Sequence, residues 1–269
     1  MKIDQKTKLY GLIGYPVGHS LSPAMHNTAF SETGINAAYM AFETKDPEGA
    51  LKAIRVLGIG GVSVTIPHKS DVIPLLDELD DLAGKIGAVN TIVNVDGRLI
   101  GYNTDAIGAL RALEEKAEVN GKSCLIAGAG GAAKAIGYIL KENGVTVTIC
   151  NRSAERGEAL AKALGCSFIP LDRMNEIKTD ILVNTTSVGM SPNIDQCIVP
   201  AHVLEEGMVV MDIIYNPLET KLLSIAKSNG CSIIDGLGMF VQQGAEQFRL
   251  WTGIDAPVKV MADSVRKML

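Results

Sequence analysis

The segment GAGGAAKA sets Gly128, Gly130 and Gly131 ahead of a helix-forming run, with Ala133 where a third glycine commonly stands. That spacing allows a tight strand-to-helix turn and lets a pyrophosphate approach the helix N-terminus closely. The strand-like SCLIAG precedes it, the helix-like AAKAIGYILKENG follows, and VTVTICN closes a βαβ unit. Gly128, Ala129, Gly130, Gly131 and Ala132 are therefore the candidate cradle for a dinucleotide. An NAD site normally ends its second strand on an acidic residue that accepts from the ribose 2′-hydroxyl. Here the chain reads CNRSAERGEA, so Asn151, Arg152, Ser153 and Arg156 offer donors and two positive charges. That set suits the 2′-phosphate of NADP. Glu155 is the residue through which NAD could be served instead. The plainer reading makes Ser153 a helix cap and leaves both arginines in solvent.

A second group lies in the first half of the chain. In YPVGHSLSPAMHNTAF, Ser22 before Pro23 reads as an N-cap followed by a proline at the first helical position. Alternatively, Ser20 and Ser22 make a small anion pocket at a helix start, suited to a carboxylate. VSVTIPHKSD puts Thr65 and Lys69 just past an apolar strand, while GAVNT and GYNTD bring Asn90 and Asp105 to element ends. Taken singly, Lys69 is a solvated lysine and Asp105 an N-capping aspartate. Taken together, a lysine and a carboxylate facing a nicotinamide could pass a proton while hydride moves.

The elements that must position these groups are those of a two-domain α/β protein. KLYGLIG, AAYMAFE and GGVSVTIP are strand-like; PAMHNTAFSETG and PEGALKAIRVLG have helical spacing with glycine stops at Gly34 and Gly58. TIVNVDGRLIGYN carries a hairpin turn at Asp96-Gly97. Residues 1–103 are thus expected to form a mixed α/β substrate domain whose sheet has antiparallel content. Residues 104–236 are expected to form a Rossmann-type doubly wound domain, with DILVNTT and MVVMDII as later parallel strands buried on both faces. Residues 237–269 read as two helices returning to pack on the first domain.

Composition narrows the function. At 269 residues and a net charge of −5, with Lys and Arg unclustered, the chain has no basic footprint for nucleic acid or anionic membrane. No uninterrupted apolar run reaches membrane-spanning length, and MKIDQKTKLYGLIGYPVG reads as a first strand and not as a signal peptide. The five cysteines are scattered, without a C-x-x-C pair, and the four histidines are dispersed. No metal site and a cytoplasmic, reducing setting are expected.

GHSLSPAMHN, VTIPHK, GAVNT, GYNTD, GAGGAAKA, NRSAER, DIIYNPLET and DGLGMFVQQGAEQF occur in that order and span nearly the whole chain. In these motifs the sequence resembles the shikimate/quinate dehydrogenase family. The resemblance implies a reversible, NADPH-dependent reduction of 3-dehydroshikimate to shikimate, a step of aromatic amino-acid biosynthesis through chorismate. It implies Lys69 as general acid/base assisted by Asp105, in a cleft between domains. Ser20 and Ser22 would hold the substrate carboxylate, Thr65, Asn90, Tyr215 and Gln243 would contact the hydroxyls or carboxylate of the ring, and Asp105 would also bond a substrate hydroxyl. Gly128 to Ala132 and Asn151 to Arg156 would hold NADP, with Ile213 and Gly236 lining the nicotinamide end and Met239 a packing neighbour in the cofactor site. Ala106 stands where much of the family has glycine. GYNTD and YMAFE also resemble the branch that accepts quinate and uses NAD, so that broader specificity is the alternative. A catalytically silent NADP- or shikimate-binding regulator is a remoter one. A small-molecule substrate and a monomer or homodimer complete the expectation.

Overall fold

The apolar runs become two six-stranded sheets. The structure, a computed structural model, describes residues 3–269. It divides into two compact units: the chain through Thr104 together with Gln243–Met268, and Asp105–Gln242 together with Leu269.

The first unit begins β1 (Lys8–Gly14), α1 (Ser22–Glu32), β2 (Ala37–Glu43), α2 (Pro47–Val56) and β3 (Gly61–Val64). It continues β4 (Glu78–Leu79), α3 (Asp81–Ile86), β5 (Thr91–Val95) and β6 (Arg98–Tyr102). The sheet order is β2-β1-β3-β5-β6-β4. β1 runs parallel to β2 and β3, and β5 is antiparallel to both β3 and β6. Antiparallel content enters through the hairpin. Asp96 at φ 51° and Gly97 at φ 90° both take the left-handed conformation that a two-residue turn matched to strand twist requires. The glycine stops also fall where expected, Gly34 at φ 69° and Gly58 at φ 63° closing α1 and α2. The short α3, capped by Asp80 at the Leu82 and Ala83 amides, carries too few residues for a helical period to show in the sequence.

The second unit opens on α4 (Thr104–Glu114), then β7 (Ser123–Ala127), α5 (Gly131–Glu142), β8 (Thr146–Asn151), α6 (Ala154–Leu164) and β9 (Ser167–Pro170). β10 (Ile181–Asn184), β11 (Val209–Asp212), α7 (Lys221–Ser228), β12 (Ser232–Ile234) and α8 (Gly236–Thr252) follow. Its strands are all parallel, in the order β12-β11-β10-β7-β8-β9. That is the doubly wound dinucleotide-binding order, reversing between β7 and β10. Alternate residues of β7 enter opposite cores: Cys124 and Ile126 one, Leu125 and Ala127 the other. This explains the continuous apolar runs, since parallel strands here are covered on both faces. The unit boundary passes within α8, whose later half and α9 (Val258–Arg266) belong to the first unit, where α9 packs on α1.

Candidate active site

The crevice beyond the carboxyl ends of β7 and β10 is where ligands bind such a sheet. Gly128 follows β7 at φ 122°, and a Cβ there would lie 2.3 Å from Thr185 Oγ1. Backbone conformation and packing both demand glycine at that position. Gly130 and Gly131 differ. Gly130 has φ −95°, which any residue adopts, and a Cβ on either would meet no atom within 4 Å. The protein itself does not require glycine at these two positions, and the open space beside them leaves room for a ligand against the backbone. The first turn of α5 has no side-chain cap and no acidic residue. By contrast α6, α7 and α8 are closed by Ser153, Thr220 and Asp235. Orphan amides facing open space fit a pyrophosphate. Ala129 and Ala132 are half-buried beside them, and Ala133 is packed in the core, which suits the third position of the fingerprint.

At the end of β8, Asn151 Nδ2 donates to the Ser153 carbonyl at 2.9 Å, and Ser153 Oγ accepts the Arg156 amide at 3.4 Å. The cap reading of Ser153 is thus realised. Arg152 and Arg156 are exposed at the same strand end, where a 2′-phosphate would sit.

Sequence reasoning passed over the node behind the next two loops. Asp212, at the end of β11, is fully buried. Its Oδ1 accepts from Asn184 Nδ2 at 3.0 Å and from the Ile214 amide at 3.2 Å, and its Oδ2 from Thr220 Oγ1 at 2.7 Å. Asn184 Oδ1 in turn accepts from the Thr186 amide and hydroxyl. Burial pushes the Asp212 carboxyl up to about 6 despite these donors. The node fixes the loop that carries Ile213, half-buried, and Tyr215, whose ring packs 5.0 Å from Phe240. Gly236 is dictated by backbone contact: a Cβ would lie 2.4 Å from the Ile213 carbonyl oxygen. Met239 is buried in the core beneath the sheet. The signal in the sequence was an aspartate interrupting MVVMDII, an apolar run that otherwise has no use for charge.

In the first unit, α1 does not start as the sequence suggested. Its first helical bond runs from the Met25 amide to the Leu21 carbonyl, so Leu21 is the cap residue and Ser22 already lies in the helix, ahead of Pro23. Ser20 Oγ accepts the Ser22 amide at 3.3 Å. Burial raises the pKa of the Tyr39 phenol, and the Ser63 and Ser22 hydroxyls oppose that shift. Asp105 likewise lies inside the first turn of α4 and not ahead of it as a cap, because Thr104 is already helical.

Thr65 follows β3, its amide on the Ile13 carbonyl at 3.0 Å, and Lys69 stands half-buried at the far side of that loop. The Lys69 carbonyl is tied to the Val89 amide, and buried His68 anchors the turn through Nε2 to the Thr44 carbonyl at 2.9 Å. Asn90 is buried, its Oδ1 accepting from the Thr104 amide at 2.7 Å and Thr91 Oγ1 at 2.9 Å. Gln243 is buried on α8. The first unit therefore holds Ser20, Ser22, Thr65, Lys69, Asn90 and Gln243. The second holds Asp105, Tyr215 and every dinucleotide candidate.

Residues 12–92 match the shikimate dehydrogenase substrate binding domain, 111–217 match shikimate/quinate 5-dehydrogenase, and 236–266 match the shikimate 5′-dehydrogenase C-terminal domain. The chain belongs to the shikimate dehydrogenase family. Shikimate dehydrogenase (NADP+) of Pyrococcus furiosus is 50% identical over 262 residues, covering 96% of this chain and 95% of its own. A crystal structure of a family member in complex with NADP+ superposes with a TM-score of 0.96 at 46% identity, covering 99% of this chain and 97% of that one. The Thermus thermophilus shikimate 5-dehydrogenase, in complex with NADP(H) and shikimate, gives a TM-score of 0.92 at 38% identity over 98% of this chain and 100% of that one. Among the described residues no cluster of three metal-ligating side chains occurs, and no helix is long and apolar enough to cross a membrane.

Proposed function

We propose that this chain is an NADP-dependent shikimate dehydrogenase that interconverts 3-dehydroshikimate and shikimate. The observation that carries the cofactor half is the pair of glycines, 130 and 131, that neither backbone conformation nor packing accounts for. A pyrophosphate lying on the α5 amides gives them a reason, and Arg152 and Arg156 supply the charge a 2′-phosphate needs. When bound, NADPH supplies the hydride that reduces the substrate carbonyl.

The chain's own residues handle charge and proton. Lys69 acts as general acid toward the carbonyl oxygen in reduction and as general base in the reverse direction, its ammonium also stabilising the developing alkoxide. Asp105 is its carboxylate partner. Ser20 and Ser22 take the substrate carboxylate at the start of α1, where the helix favours negative charge. Thr65, Asn90, Tyr215 and Gln243 take the ring hydroxyls. Asn90 is suited to that work because its Oδ1 is fixed by its own neighbours, which holds the amide plane still. Ile213 and Gly236 line the nicotinamide end, with Met239 packed behind them.

An absorbance assay supplying shikimate or quinate with NADP or NAD tests the reading. Reduction mainly with shikimate and NADP is expected. Equal rates with quinate or NAD would assign the broader branch, and no reduction in any combination would overturn the enzymatic reading.

A further inference from the structure

Gln247 lies one helical turn beyond Gln243 on α8 and is fully buried. A primary amide has two acceptor and two donor positions, and each one buried without a partner costs stability. Here all four are filled from within the same unit. Oε1 lies 2.8 Å from Ser63 Oγ and 3.2 Å from His26 Nε2; Nε2 lies 3.1 Å from Thr91 Oγ1 and 3.4 Å from the Asn90 carbonyl oxygen. The Asn90 carbonyl only accepts, so the NH2 end of Gln247 faces Asn90 and Thr91, and its oxygen accepts from Ser63 and His26. His26 donates as a neutral ring, burial holding its imidazole down to about 4.

Each partner belongs to a stretch that carries a candidate substrate contact. His26 stands one turn past Ser22 on α1, Ser63 stands on β3 two residues before Thr65, and Thr91 follows Asn90 at the start of β5. The path to Asn90 goes further, to the side chain itself. Thr91 Oγ1 accepts from Gln247 and passes its own proton to Asn90 Oδ1 at 2.9 Å. The Thr104 amide, which only donates, bonds the same Oδ1 at 2.7 Å and so fixes which end of the Asn90 amide is oxygen. With its four positions taken, Gln247 has nothing to offer a substrate directly. An apolar side chain of the same volume would fill the space, but only directional bonds hold four elements in one mutual orientation.

We propose that Gln247 is the positioning residue of the substrate pocket, holding the stretches that carry Ser22, Thr65, Asn90 and Gln243 in register and fixing the Asn90 amide through Thr91. The inference rests on the reading of Asn90 as a substrate ligand. Recognition of shikimate then depends on a glutamine and a threonine that do not touch it.

The test is steady-state kinetics and calorimetric shikimate binding on the full chain and on Gln247→Met, Thr91→Val, Thr91→Ser, Asn90→Ala and Thr91→Val/Asn90→Ala. Gln247→Met keeps the length of the side chain and removes all four bonds. Its kcat/KM for shikimate should fall roughly ten- to a hundredfold, the cost of ligands held about an ångström out of place. The KM for NADP should stay at the parent value, since every dinucleotide candidate belongs to the other unit. Thr91→Val breaks only the path to the Asn90 side chain and should weaken shikimate binding about two- to tenfold, the worth of one neutral hydrogen bond. Thr91→Ser, which keeps the hydroxyl, should restore it, and Thr91→Val should cost nothing further once Asn90 is alanine. A merely structural role would lower the melting temperature and leave the KM for shikimate unmoved, or raise both KM values together. Either of those results, parent-like shikimate binding by Thr91→Val, or an equal loss with and without the Asn90 side chain overturns the proposal, even if Gln247→Met fails to fold. Should Asn90→Ala alone leave shikimate affinity unchanged, the substrate reading of Asn90 is what fails, and the proposal falls with it.

Discussion

Replacing Gly130 with alanine separates what the fold needs from what the cofactor needs. The backbone at Gly130 is extended and a Cβ meets nothing within 4 Å. The added methyl therefore costs the free protein nothing and restricts the unfolded chain, a gain of about 0.4–1 kcal/mol. For a chain of this size that is a rise in melting temperature of about 1–4 °C. The same methyl stands where a pyrophosphate would lie on the α5 amides. Losing one charge-assisted hydrogen bond, worth about 1.5–3 kcal/mol, raises the NADP dissociation constant roughly ten- to a hundredfold. At a concentration of NADP that is about 100 times the parent Kd, ligand stabilises the parent by about 2.7 kcal/mol. The variant would gain only about 1.4 to 0.4 kcal/mol. Thermal melts with and without NADP read both numbers at once. Gly128→Ala is the contrasting control: at φ 122° and 2.3 Å from Thr185 Oγ1 it should destabilise the fold by about 1–3 kcal/mol without ligand. A Gly130→Ala protein that keeps the parent's NADP-induced shift would refute the cradle, and one destabilised without NADP would refute the claim that the fold does not need this glycine.

Lys69→Ala should lower kcat by about 10²- to 10⁴-fold while shikimate still binds, measured by steady-state kinetics beside calorimetry. The double change Arg152→Ala and Arg156→Ala should raise the KM for NADP roughly tenfold or more and leave that for NAD nearly alone; equal changes for both cofactors would remove these side chains from the 2′-phosphate site. Asp212 gives a pH signature. Its carboxyl sits at about 6 when folded against an ordinary value of 3.8, so burial favours the protonated form. That contribution is present in full below about pH 4 and is lost as pH rises through about 6. Asp212→Asn, which keeps the shape and both kinds of hydrogen-bonding group, should flatten the fall in stability between pH 4 and pH 7 in denaturant titrations. A variant with the parent's slope would place the titrating group elsewhere.

The parallel unit was legible because its signals are local. Apolar runs, a glycine turn and the spacing to the next strand all lie within one βαβ unit, and they name the doubly wound class before the sheet is seen. The hairpin was legible for the same reason, since Asp96-Gly97 is a turn that only a few residue pairs make well. What the sequence could not show is where a polar side chain finds its partner. Ser63 and Gln247 are 184 positions apart, and Asn184 and Asp212 are 28 apart. Neither pair leaves a periodic trace, because one polar residue in an apolar strand or helix does not disturb the period. The helix starts at Ser22 and Asp105 were misplaced by a residue or two for a related reason: a serine or an aspartate is equally at home as a cap and in a first turn, and only the first backbone bond decides.

The first unit is built from two separated stretches of chain. Trp251 donates through Nε1 to the Ile92 carbonyl at 3.0 Å and stacks on Tyr10, Phe248 packs on Phe30, and α9 covers α1. A ribosome delivers these closing pieces last. Residues 105–242, by contrast, are contiguous, and the whole parallel sheet has been synthesised before Gln243 is added. During synthesis the nucleotide-binding half can therefore fold while the substrate half waits, its strands formed but its core open. A released chain truncated at Gln242 should already resist protease across residues 105–234 and remain cleavable in the first hundred. The buried cluster of Ser63, His26 and Thr91 around Gln247 is thus among the last features of the molecule to come into being.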